Sequence, residues 1–185
     1  MEPIITDRVL PFDDLLTIPQ EHLPLIVLSD NVTSFIAWAI KHHEKGMYNH
    51  AMMMHRPGRV ATQNWFFADK SIDAYRDAHR LKLWTNINWT QEERQLMLDQ
   101  IQHDLNRSFF FRRYDLLGSV VGQGLNLPWI QIPWMRYCSE SCSYYIELVD
   151  WSVPERPSPP ELNRWFQNEV QYKRGYRVYG RYFAD

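Results

Sequence analysis

Cysteine is nearly absent: Cys138 and Cys142 are the only two in 185 residues. A pair four positions apart builds no disulfide framework, and without a second pair it lacks the ligand spacing of a structural zinc site. No stretch approaches the roughly 20 consecutive apolar residues that span a bilayer. The opening residues, MEPIITDRVLPFDD, place acids where a secretory leader needs a basic region and then an apolar run. The expected location is therefore the cytoplasm, a reducing compartment, where the sequons at Asn31, Asn88 and Asn106 carry no sugar. Charge of one sign is missing too. The chain holds 20 Lys+Arg against 22 Asp+Glu, a formal net charge of −2, which argues against a nucleic-acid coat. Repeats and low-complexity blocks are not found.

Aromatic side chains are abundant, at 15% with 8 Trp and 10 Tyr. Rings of this size fill cores and also line clefts. Hydrophobic residues at 45% and charged residues at 23% are ordinary for a globular chain. A chain of this length buries about 70% of its extended surface, enough for one stable domain without staples.

Prolines 3, 11, 19 and 24 break any helix in the first segment, so residues 1–24 read as an irregular lead-in. Leu25 to Leu28 is a β-type run followed by the N-cap cluster Ser29-Asp30-Asn31, and apolar spacing predicts a helix over 32–44. Tyr48–His55 and Val60–Phe67 read as strands joined through a Pro57-Gly58 turn, with a further strand over Leu81–Trp84. Thr90 caps an amphipathic helix through Leu105 whose inner residues are Leu96, Met97, Ile101 and Leu105. Residues 113–125 and 137–149 read as two more helices. After Trp151, prolines 154, 157, 159 and 160 suggest a linker before a basic-aromatic extension. The expected organisation is a lead-in (1–24), a main domain (25–150) and a linker with extension (151–185). Its class is α+β, with a small antiparallel sheet packed against helices.

A thiol attacks only as thiolate, and the unpaired N–H groups and positive dipole at a helix start lower its pKa. Cys138 falls at such a start, and Cys142 falls one turn inside, where a small side chain packs rather than reacts. The base for such a nucleophile is normally His. Pairing across the Pro57-Gly58 turn sets His50 opposite Trp65 and Met52 opposite Gln63. Alternation then gathers His50, Gln63 and Trp65 on one face and turns His55 to the other. Gln63 would hold the His50 ring, although a single β-bulge would exchange it for Thr62 or Asn64. The more common role for a His on an apolar strand is that of a satisfied core residue. His42, His43, His50 and His55 span a helix end, a turn and both faces of a strand, which does not suit a metal, so neither metal nor cofactor is expected. The run Tyr172–Arg181 interleaves cations with aromatics, as binders of single-stranded nucleic acid do, but more often forms a terminal strand packing its Tyr rings.

The order of these pieces carries a resemblance. Ser29-Asp30-Asn31 after a strand, Tyr48-Asn49-His50-Ala51-Met52 on the next, Tyr114-Asp115, and finally Tyr137-Cys138-Ser139-Glu140 resemble the circularly permuted NlpC/P60 group of the papain-like superfamily, in its YiiX-like bacterial and phage branch. The resemblance covers about residues 25–149 and implies a permuted papain-like fold in which the His strand precedes the Cys helix. It implies Cys138 as nucleophile and His50 as base. Many relatives have an acid or a His at the third position, where this sequence offers Gln63. The implied activity is cysteine-dependent hydrolysis of an amide through an acyl-enzyme, with peptidoglycan peptides as the first substrate class. Acyl transfer on lipid-type esters or thioesters is the alternative chemistry. A non-catalytic module that binds an envelope or belongs to a virion is the alternative outside enzymology.

Overall fold

The computed structural model describes residues 7–30, 47–63, 66–107, 138–155, 157–172 and 174–184, with the backbone alone at 138–140. The helices expected over 32–44 and 113–125 lie outside the described residues. Strands are β1 (Arg8–Val9), β2 (Leu25–Asp30), β3 (His50–Arg56), β4 (Arg59–Gln63), β5 (Phe67–Ser71), β6 (Arg80–Asn86) and β7 (Tyr176–Phe183). They form one sheet in the order β1-β7-β6-β2-β3-β4-β5. Every pair is antiparallel except β1 with β7. Among the described residues three α-helices accompany it: α1 (Gln91–Asn106), α2 (Cys138–Glu147) and α3 (Pro159–Gln171).

The chain is thus a mixed α+β protein, and its seven-stranded sheet is larger than the small one expected. The difference comes from both ends of the described chain. Residues 151–185 are not a linker with an appended tail, because β7 is hydrogen-bonded along β6 from Asn86↔Tyr176 to Arg80↔Phe183. Tyr176 and Tyr179 are fully buried there. Nor do Pro159 and Pro160 break structure. They occupy the first turn of α3, where a missing N–H costs nothing, behind a Ser158 cap that accepts from the Glu161 N–H. The lead-in also joins the sheet, since β1 pairs Arg8 with Gly180 and Val9 with Arg181.

Strand alternation divides the core in two. One cluster gathers Ile26, Leu28, Ala51, Met53, Ala61, Phe67 and Trp84 with the inner faces of α1, α2 and α3. The other gathers Leu25, Val27, Met52, Met54, Val60, Leu81 and Leu83 beneath lead-in residues including Leu10, Leu15 and Leu23. Among the described residues it is the lead-in that covers that face. α1 begins at the expected cap, with Thr90 accepting from the Glu93 N–H and Glu93 accepting from the Thr90 N–H. Met97 and Ile101 are buried as expected, but Leu96 is 49% exposed, its place taken by a buried Arg94. No helix among the described residues is long and apolar enough to cross a membrane.

Candidate functional site

The β3–β4 hairpin decides what surrounds His50. At the turn Arg56 pairs with Arg59, as the Pro57-Gly58 connection requires, and Gly58 takes the positive φ of 65° that glycine tolerates. A bulge between Met54 and Arg56 then shifts the register by one, so Met52 pairs with Thr62 and Met54 with Val60. The expected pairing of Met52 with Gln63 is corrected accordingly. Thr62 shares the face of His50, Met52 and Met54, while Gln63 faces the helices together with Ala61 and is buried there. Gln63 is therefore not the residue that holds the His50 ring. Asn64 and Trp65, the latter expected opposite His50, lie outside the described residues.

His50 instead enters a hydroxyl cluster. Its Nε2 lies 2.7 Å from Thr62 Oγ1 and 3.4 Å from Tyr75 Oη, and those two oxygens are 3.1 Å apart. The ring stacks on Tyr75 with centroids 5.9 Å apart and planes 13° from parallel. Tyr75 sits in a short 3-10 turn, Ile72–Tyr75, on the lead-in side of the sheet. Burial, reinforced by the positive charge of Lys70, presses the His50 pKa down to about 4. The ring is neutral at pH 7, and a thiolate–imidazolium pair built on it would be strongly disfavoured.

This has a consequence for acid stability. An unfolded His titrates near 6.5, so between pH 6.5 and 4 the unfolded chain binds the extra proton and the folded chain does not. The contribution of His50 is full above pH 6.5 and is lost as pH falls through that window. The loss reaches about 3 kcal/mol in the limit of complete burial. Urea unfolding at pH 7 and pH 4.5 should show a smaller acid loss in His50→Gln than in wild type. Equal losses in the two proteins would mean that the ring is not held neutral.

Cys138 is the first residue of α2 as described, and its side chain is outside the description. Cys142, one turn on, is buried in the helix-side cluster with Tyr145 and Ile146. α2 lies against β3 and β4 on the side of Ala51, Met53 and Ala61. His50 projects from the opposite face of β3. The structure thus brings His50 together with Thr62 and Tyr75, and brings α2 to the other side of the sheet.

The histidine on the α2 side of β3 is His55, which the sequence reading turned away from the site. His55 is 4% exposed, and its Nε2 lies 3.1 Å from Asp69 Oδ1 on β5. Asp69 also accepts from Arg59 Nε at 3.0 Å and from Arg59 Nη2 at 2.8 Å. Burial pushes the Asp69 carboxyl up, but the hydrogen bonds from Arg59 and His55 outweigh it and hold the group below the usual range. For His55, desolvation outweighs Asp69 and lowers the ring pKa. Asp69 had no signal in the sequence, because FADKS lacks the alternation that marks a half-buried strand. No protein-family model matches the chain, and no curated protein matches it.

Proposed function

We propose that the chain is a cysteine-dependent hydrolase of amide or acyl bonds, with Cys138 as its nucleophile and a permuted papain-like arrangement of helix on sheet. The observation that carries the reading is that Cys138 belongs to α2, a helix laid against the hairpin strands β3 and β4. In the first turn, where the sequence predicts Cys138, N–H groups favour the thiolate and can accept an oxyanion. A neutral imidazole takes the Cys138 proton as the sulfur attacks the substrate carbonyl, and the imidazolium so formed gives that proton to the leaving group as the tetrahedral intermediate collapses. Water then hydrolyses the thioester and restores the thiol. The reading needs its base on the α2 side of the sheet, where His55 stands with Asp69, rather than at His50. Peptide amides of the peptidoglycan type are the first substrates to assay, with lipid-type esters and thioesters second.

A second reading, a binding module that retains the fold without the reaction, is favoured by one observation. The histidine matched by the resemblance, His50, is neutral and faces away from α2. Thiol reactivity separates the two. In the folded protein at pH 6.5, iodoacetamide should label Cys138 at least about tenfold faster than the buried Cys142, reflecting a higher thiolate fraction. His50→Ala should leave that rate unchanged, and His55→Ala should slow it. Equal labelling of the two cysteines would remove the nucleophile and leave the binding module.

A further inference from the structure

Lys82 is buried, 8% exposed, on the helix side of β6. No carboxylate among the described residues lies within ion-pair distance of its ammonium. Its partners are Asn163 Oδ1 at 3.3 Å and the face of Trp84, whose ring centroid is 4.3 Å from Nζ. Directly opposite on β7 stands Arg181, and two cations facing each other across a strand pair repel. Arg181 is only partly compensated, by Asp7 at 2.7 Å. A buried lysine set against an arginine has a cost that a fold with no use for it would avoid.

Lys82, Trp84, Arg181 and Asp7 line a cleft of about 610 Å³ between α3 and the β6–β7 strands. That size is within the range of small-molecule sites. Arg177 adds a third cation at its wall, and one of its Nη1 hydrogens goes to the Tyr176 carbonyl. Gln167, Asn168 and Gln171 of α3 supply neutral hydrogen-bonding groups, while Val170 and Val178 give an apolar floor. Three cations against the single carboxylate of Asp7 leave an excess of two positive charges, the complement of a phosphate monoester dianion.

We propose that this cleft binds a small phosphomonoester, with Lys82 and Arg181 holding the phosphoryl oxygens and Val170 and Val178 carrying the organic part. A carboxylate brings half the charge and fewer acceptor oxygens, so it fits the same donors less well. The site is on the β6–β7 side of the sheet and does not depend on Cys138.

Phenyl phosphate is the probe, titrated into the full chain by calorimetry at pH 7.5, with sodium chloride at matched ionic strength as the control. Saturable one-site binding is expected, at least about tenfold tighter than benzoate, a difference of about 1.4 kcal/mol. The Lys82 side chain, followed through its Cε–Hε resonances, titrates at about 8 in the free protein because burial and Arg181 disfavour its charge. Bound phosphate should raise that midpoint by about one pH unit or more, as an anion within contact distance stabilises the ammonium. Lys82→Met and Arg181→Gln should each weaken binding at least about tenfold, or 1.4 kcal/mol. No saturable heat, an unmoved Lys82 midpoint, equal binding of benzoate, or the same shift from chloride would overturn the proposal. Should Lys82→Met fail to fold, the titration of wild-type Lys82 decides alone.

Discussion

Deleting residues 174–185 is expected to abolish the cooperative unfolding transition rather than shorten a tail. β7 lies between β1 and β6, so its loss strips the ladder from β6 and leaves β1 with nothing to pair with. It also removes Tyr176 and Tyr179, both fully buried, each worth roughly 2–3 kcal/mol of burial. Phe166 of α3 stacks on Trp84 with centroids 5.1 Å apart and meets Tyr176 at 5.3 Å, so the helix loses part of its seat as well. Against a total stability of about 5–15 kcal/mol, these losses leave little or no folded protein. Near-UV circular dichroism during heating is the measurement, with Tyr172→Ala as the control, since that ring is 72% exposed. A truncated chain that still melted cooperatively near the wild-type temperature would restore the extension to a dispensable role.

Arg94→Ala should be among the most damaging single substitutions. The side chain is 1% exposed, donating from Nη1 to the His22 carbonyl at 3.0 Å and from Nη2 to the Asn86 carbonyl at 2.7 Å. One guanidinium thus ties α1 to the lead-in and to the end of β6, with the Trp89 ring centroid 5.6 Å away. Each charged hydrogen bond contributes about 1.5–3 kcal/mol, and truncation strands the His22 carbonyl and leaves that of Asn86 only a 3.4 Å bond from the Trp89 N–H, so a loss of about 4 kcal/mol is expected. For a chain of this length that lowers Tm by about 12 °C. Arg94→Lys keeps the charge but cannot span both carbonyls with a rigid fork, and should recover about half. A loss below about 1 kcal/mol in the alanine variant would show that water replaces the guanidinium at little cost.

The local elements were largely legible in the sequence. Leu25–Leu28, the hairpin around Pro57-Gly58 and the Thr90 cap each carry a short-range signal, a β-branched run, a turn dipeptide or a capping box, and the structure places β2, β3–β4 and α1 there. What failed was non-local. The bulge at His55 leaves no mark in composition, yet it exchanges Gln63 for Thr62 beside His50. The strand predicted over Val60–Phe67 stops where β5 begins, and residues 68–71 carry no strand signal because an edge strand with Asp69 and Lys70 need not alternate. The Tyr rings of Tyr172–Arg181 did mark a terminal strand, but nothing local told that β7 pairs with both β6 and β1 rather than extending beyond the main domain. Which face of β3 receives α2 is set by the packing of the whole sheet, and no hairpin pattern reports it.

The position of β7 also orders events in time. β1 contains residues 8 and 9, and its hydrogen-bonding partner is among the last of the described residues. During synthesis β1 must therefore wait, unpaired, until residue 181 has left the ribosome. Until then β6 presents a bare edge, and the rings that Tyr176 and Tyr179 will cover remain open. Closing a contact of such sequence separation is slow compared with forming the β3–β4 hairpin. A nascent chain cannot finish this sheet before β7 emerges. A ribosome stalled before β7 would leave the β6 edge unpaired, an aggregation hazard.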